Sequence, residues 1–215
     1  MRWRVASAGL CLAGFVLASI GVGSKRGLSS LDRDVWQFMV DHTGSTQRAV
    51  ARAITSWGVA GVLLPAAVVV AVVAWWRLRS LVAASVPVIV VQATSLIVRE
   101  AKGHFMVPRP STAPVMLAAH NPAFPSGHTA NTIAFLITAT SVVWCITKSR
   151  PARVATLAVA SAGSLAMGWT RLALGVHWFS DVVGGLLLGG AIGLTGAAAL
   201  AHVTRDSTHD AATSY

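Results

Sequence analysis

The stretch 182–201, VVGGLLLGGAIGLTGAAALA, runs between Asp181 and His202 without a charged side chain. A helix rises ~1.5 Å per residue, so about 20 apolar residues cross the hydrocarbon layer of a membrane, with a range of about 17–25. The stretch therefore reads as a membrane-spanning helix, and its flanks mark where the chain meets water. Gly185, Gly189 and Gly193 recur at every fourth position along it. Such a stripe of small residues lets a neighbouring helix approach closely and carries no chemistry of its own.

Working outward, the same pattern recurs at 5–24, 53–76, 80–98, 129–147 and 154–170, the last only just long enough. The expected fold is all-α: an integral membrane protein with a six-transmembrane-helix bundle, its spans at about 5–24, 55–76, 80–98, 128–147, 154–172 and 178–202. Residues 1–215 form a single membrane-embedded domain on this reading. Composition agrees, with 54% hydrophobic and 11% charged residues and a mean hydropathy of +0.66, against roughly 25% charged in soluble domains. Arg2 and Arg4 before the first apolar run also fit a cleaved signal peptide. The length of that run, and the lack of a clear small-x-small site before Lys25-Arg26, favour an uncleaved helix. Between the first two spans, residues 28–52 place Leu31, Val35, Phe38 and Met39 opposite Asp32, Arg33 and Asp34. This is the pattern of an amphipathic helix lying on the outer surface, or of an ordinary surface helix packed on the bundle.

Lys and Arg in the short connections set the orientation. With the N-terminus inside, Arg2, Arg4, Arg77, Arg79, Lys148, Arg150, Arg153 and Arg205 are cytoplasmic. The two long connections, about 25–52 and 100–127, hold Asp32, Asp34, Asp41 and Glu100 and face out. Eight of the seventeen Lys and Arg thus lie in the cytoplasmic pieces, and no basic stripe with interleaved aromatics remains to support nucleic-acid binding despite a net charge of +10. Cys11 and Cys145 lie in apolar spans and read as packing residues. Trp75, Trp76, Trp169 and Trp178 fall at span ends, where amphipathic rings favour the interface.

Three polar clusters stand at the ends of these spans, and helix parity puts all three on the extracytoplasmic side. Pro125-Ser126-Gly127-His128 opens the fourth span. Ser126 suits an N-cap, Gly127 permits close approach to the backbone, and the helix N-terminus is an anion site with His128 in its first turn. By itself the cluster is equally an ordinary capped helix with a surface histidine. Arg171 closes the fifth span, and His177 and Asp181 open the sixth, four residues apart and so on one helical face. A carboxylate on one ring nitrogen fixes the tautomer and leaves the other free as a nucleophile. A self-satisfied polar pair is the plainer alternative, weakened by the cost of ionisable groups at a membrane boundary. Lys102 and Arg109-Pro110 follow the third span. Alone they are interfacial anchors, as Arg99 and Glu100 are read to be. With Arg171 they supply three cations, the recurring need of phosphoryl transfer. His104 and His120 read as loop or rim residues.

Lys-x6-Arg-Pro, then Pro-Ser-Gly-His, then Arg-x5-His-x3-Asp, spanning 102–181, resembles the signature of the type 2 phosphatidic acid phosphatase superfamily, which also includes undecaprenyl-diphosphate phosphatases and the vanadium haloperoxidases. Each part is weak alone, and their order, spacing and shared membrane side make the set specific. The resemblance implies that His177 attacks phosphorus, Asp181 orients it, and His128 protonates the leaving oxygen and later activates water. It implies that Lys102, Arg109, Arg171, Ser126 and the Gly127 N–H hold the phosphoryl oxygens. No metal or cofactor is implied, and Glu100 is the one carboxylate beyond the motifs in the second outer loop, too few for a two-metal site. Thr170 stands where the family usually has Ser; the hydroxyl is kept, and the extra methyl bears on the fit.

The function expected is a metal-independent membrane phosphatase acting on a lipid phosphate or diphosphate through a phosphohistidine, in the plasma membrane of a bacterium with both termini cytoplasmic. The partners expected are the lipid phosphate substrate and membrane lipid, without nucleic acid. A vanadate-dependent haloperoxidase and a non-enzymatic headgroup-binding protein are the alternatives. The six spans argue against the first. The presence of both histidines and Asp181 argues against the second.

Overall fold

The computed structural model describes residues 2–23, 30–112 and 121–213, with the backbone alone at Arg2 and from Arg205 onward. Its helices are α1 (Arg2–Gly23), α2 (Ser30–His42), α3 (Ser45–Thr55), α4 (Ala60–Leu78), α5 (Leu81–Phe105), α6 (Gly127–Ile146), α7 (Arg150–Ala173) and α8 (Phe179–Thr213). A single 3-10 turn, Ser56–Gly58, joins α3 to α4. No strand occurs among the described residues.

α1, α4, α5, α6 and α8 are long and apolar enough to cross a membrane. α7 is 24 residues long but is diluted by Ala, Gly and Ser and is less apolar than these five. It nevertheless runs the length of the bundle. Near its start Arg153 donates to the carbonyl of Trp144, in the last turn of α6, at 2.9 Å. Its other end leads to Asp181, whose carbonyl accepts the N–H of Ser126 at the start of α6.

Side-chain distribution is inverted relative to a water-soluble protein. Leu10, Val69, Leu81 and Leu165 are 64–74% exposed on the outside, whereas Thr94, Thr129, Thr138 and Asp181 are fully buried. Lipid tails are as apolar as leucine, so association of these helices relies on close packing rather than on hiding apolar surface. The tightest pair is α6 with α8, and the glycine stripe is the reason. A Cβ at Gly185 would lie 2.6 Å from the carbonyl oxygen of Ser126, one at Gly189 would run into the carbonyl of Ala130, and one at Gly193 would meet Ala134 Cα at 3.0 Å. α1 packs along α8, with Gly14 against Leu187 and Gly190 against Cys11.

Several expected boundaries move. The span expected at 80–98 continues to Phe105, because Ser80 caps its start by accepting from Ala83 N (3.2 Å) and nothing stops it before Met106, which turns left-handed (φ 50°) ahead of Pro108. Lys102 and His104 are therefore helical rather than in a loop. The segment 28–52 is two helices over its described residues. Gly44, with extended backbone, breaks it, and the side chain of Gln47 accepts the Gly44 N–H at 2.6 Å. On α2, Asp32 is buried while Leu31 and Phe38 point outward, more than half exposed. Trp75 and Trp76 are exposed at the end of α4, as expected for interfacial rings. Trp178 is buried instead: its Nε1 donates to Pro108 O at 2.8 Å and its ring packs against Trp36. Lys25, Arg26 and His120 lie outside the described residues.

Candidate active site

The three clusters converge at one end of the bundle. Asp181, in the first turn of α8 and completely buried, accepts from two donors through Oδ2: His177 Nδ1 at 3.0 Å and the backbone N–H of Trp178 at 2.9 Å. The other ring nitrogen, His177 Nε2, lies 3.0 Å from Arg109 NH1. A guanidinium only donates and a carboxylate only accepts. The imidazole is thereby held as the tautomer with its proton on Nδ1 and its lone pair on Nε2. His177 is 2% exposed. Burial, followed by the nearby charges of Arg109, Arg171 and Lys102, depresses its pKa well below the usual histidine range. The ring is neutral, as a nucleophile must be.

Arg109 is held by carbonyls. Its Nε donates to Asn121 O at 2.7 Å and its NH1 to Val176 O at 2.7 Å. Burial lowers its pKa from the usual arginine value, partly offset by Asp181. Lys102, in the last turn of α5, donates to Pro122 O and, at 3.3 Å, to Ala123 O. Arg171, in the last turn of α7, is 6% exposed and donates to the hydroxyl of Thr55. Among the described residues none of these three cations forms an ion pair within 4.0 Å. Three positive groups thus converge around the buried carboxylate of Asp181 without an ion pair of their own, an arrangement complementary to a tetrahedral oxyanion.

Ser126 is fully buried at the N-cap position of α6, and its backbone N–H donates to Asp181 O at 2.9 Å. The expected side-chain cap is absent. Its hydroxyl pairs with Thr129 Oγ1 at 3.0 Å instead of with a backbone N–H, which leaves the first-turn N–H groups of α6 to another acceptor. Gly127 and His128 follow in that turn, with His128 half-buried. Thr170 is fully buried, and its hydroxyl donates to Met167 O at 2.7 Å. His104 is exposed and touches Phe105 edge-on, away from this cluster's hydrogen bonds. A groove of about 680 Å³ opens beside the cluster, lined by Ser95, Val98, Lys102, Met106, Pro108 and Pro122 among others.

Sequence reasoning missed two contributors. Asp32 of α2 accepts the N–H of Ser180, next to Asp181, at 2.8 Å, and Thr55 of α3 meets Arg171. Asp32 stood out only as part of a polar face, and Thr55 carried no signal at all.

A bundle of apolar helices with a histidine–carboxylate pair and three convergent cations at one end is the architecture of a membrane protein with a buried polar site. The sequence profile of the PAP2 superfamily matches residues 80–205, more than half of the chain. The chain belongs to the PAP2 superfamily and is a multi-pass membrane protein. No curated protein matches it. Among solved structures, its fold is similar to that of the first transmembrane PAP2-type phosphatidylglycerolphosphate phosphatase from Bacillus subtilis, with a TM-score of 0.76 at 21% identity over 88% of this chain and 94% of the other.

Proposed function

We propose that this protein hydrolyses a lipid phosphate or diphosphate without a metal, through a phosphohistidine on His177. The observation that carries the reading is the hydrogen-bonded series Asp181–His177–Arg109, which keeps a neutral imidazole with its lone pair on Nε2 at a cluster of cations. Nε2 attacks phosphorus, a P–N bond forms, and the P–O bond to the leaving group breaks as His128 gives that oxygen a proton. His128 then takes a proton from water, the water oxygen bonds to phosphorus, and the P–N bond breaks to release phosphate. Lys102, Arg109 and Arg171, with Ser126 and the Gly127 N–H, hold the phosphoryl oxygens while negative charge is redistributed among them. Arg109 donates to the nucleophilic nitrogen in this structure, so phosphoryl oxygens take over that donor when substrate binds.

All six long helices cross the membrane on this reading, residues 1–215 act as one domain, both termini are cytoplasmic, and the site faces the extracytoplasmic side. The charge of the short connections supports that orientation. The substrate panel comprises a polyprenyl diphosphate, phosphatidic acid and phosphatidylglycerol phosphate, the last matching the activity named for the similar fold. Purified protein releases phosphate from at least one of these in the presence of EDTA, and His177→Ala abolishes the release. Full activity in that variant removes the mechanism; a wild-type protein inert on every lipid of the panel removes the reading.

A further inference from the structure

We infer that Thr55, at the end of α3, is a positioning residue for Arg171, so that the active site is completed by a part of the chain outside the family-matched region 80–205. The inference rests on the phosphatase reading and deepens it. Arg171 is almost wholly buried, and the Thr55 hydroxyl is the hydrogen-bond partner of its guanidinium among the described residues; Nε, also buried, has none. An arginine carries about 2 kcal/mol of rotamer entropy, and a single polar anchor decides where its planar fork points. The anchor is itself oriented. Thr55 accepts from Arg171 with an oxygen lone pair, while its own proton faces Met167 Sδ at 4.0 Å.

The turn that follows reaches further into the site. A Cβ at Gly58 would lie 2.6 Å from Met167 Cε, 2.8 Å from its Sδ and 3.2 Å from His128 Cδ2. Residues 55–58 therefore meet the phosphate-binding arginine at Thr55 and lie close to the proposed proton donor at Gly58. Its contact with Arg171 goes through one hydroxyl. A group that only filled space there would need no oxygen.

Three variants in the full-length detergent-purified protein separate positioning from packing. Thr55→Val keeps the shape and removes the acceptor; loss of a hydrogen bond to a charged group is worth a drop of about ten- to a hundredfold. That drop is expected in kcat/KM and, independently of turnover, in orthovanadate binding followed by tryptophan fluorescence. Thr55→Ser keeps the hydroxyl and stays within about threefold of wild type on both readouts. Thr55→Val added to Arg171→Ala costs nothing more, since coupled residues are not additive. Should the valine variant fail to fold, Thr55→Ala carries the same expectations. Wild-type turnover and vanadate binding in Thr55→Val, or an equal loss with and without Arg171, overturns the inference. A wild-type protein without phosphatase activity overturns the function reading instead, and the vanadate measurements still decide the role of Thr55.

Discussion

The backbone N–H of Ser126 donates to the carbonyl of Asp181 at 2.9 Å, binding the start of α6 to the start of α8. Through this bond the helix end proposed to receive the phosphoryl group and the carboxylate behind His177 share one frame. The bond exists because the two helices are in backbone contact along the glycine stripe just below it.

Substitution in that stripe therefore acts on the site from outside it. Gly189→Leu drives a side chain into the carbonyl of Ala130, which nothing flexible relieves. Overpacking of this kind typically costs about 1–3 kcal/mol, and more against backbone. We expect a lower unfolding temperature in detergent and activity reduced by more than tenfold. Wild-type behaviour on both counts removes the link between helix approach and site geometry.

Asp181→Asn keeps the shape while removing the charge and the fixed acceptor. General acid–base and orienting groups contribute about 10²–10⁴-fold, so kcat should fall by at least about a hundredfold with a much smaller change in KM. A rise confined to KM contradicts the role given to Asp181.

The depressed pKa of His177 makes stability depend on pH. The unfolded chain takes up a proton near the ordinary value of about 6.5 while the folded chain resists it. Stability from this group is thus complete above that pH and is lost as pH falls from about 6.5 through the lower folded value. The loss approaches about 1.4 kcal/mol per unit within that window. His177→Gln, without a titrating ring, should show a flatter unfolding-temperature profile between pH 6.5 and 5. An unchanged slope contradicts the burial argument.

Asp32→Ala leaves the Ser180 N–H without its acceptor at the first turn of α8. The expected cost is about 1–3 kcal/mol, read as a drop in unfolding temperature, with Asp32→Asn recovering most of it because the amide oxygen still accepts. Equal losses for the two variants point to charge rather than the hydrogen bond.

Thr170→Ser should change little. The Thr170 hydroxyl is engaged with Met167 O, within its own helix, and serine makes the same bond, so only one buried methyl is lost. We expect kcat/KM within about threefold of wild type and a destabilisation near about 1 kcal/mol.

The sequence carried the apolar spans and the three clusters because both are local signals. Helix-length runs without charge are visible in 182–201, and so is the i, i+4 relation of His177 and Asp181. Helix ends were less visible. α5 outruns its apolar stretch by about two turns, since the last uncharged residue is not where the hydrogen bonds stop. The break at Gly44 was hidden in a periodic pattern that continues on either side. Asp32 and Thr55 were out of reach for a stronger reason. Their partners lie 148 and 116 residues away, and nothing in a threonine at the end of a helix announces a guanidinium so far along the chain.

The bond between Thr55 and Arg171 also bears on what counts as the working unit of this protein. A fragment starting at residue 80 would retain every motif residue and the whole family-matched region, yet would lack the hydroxyl that holds one of its three cations. The family profile matches 80–205, whereas the hydroxyl that meets Arg171 comes from residue 55.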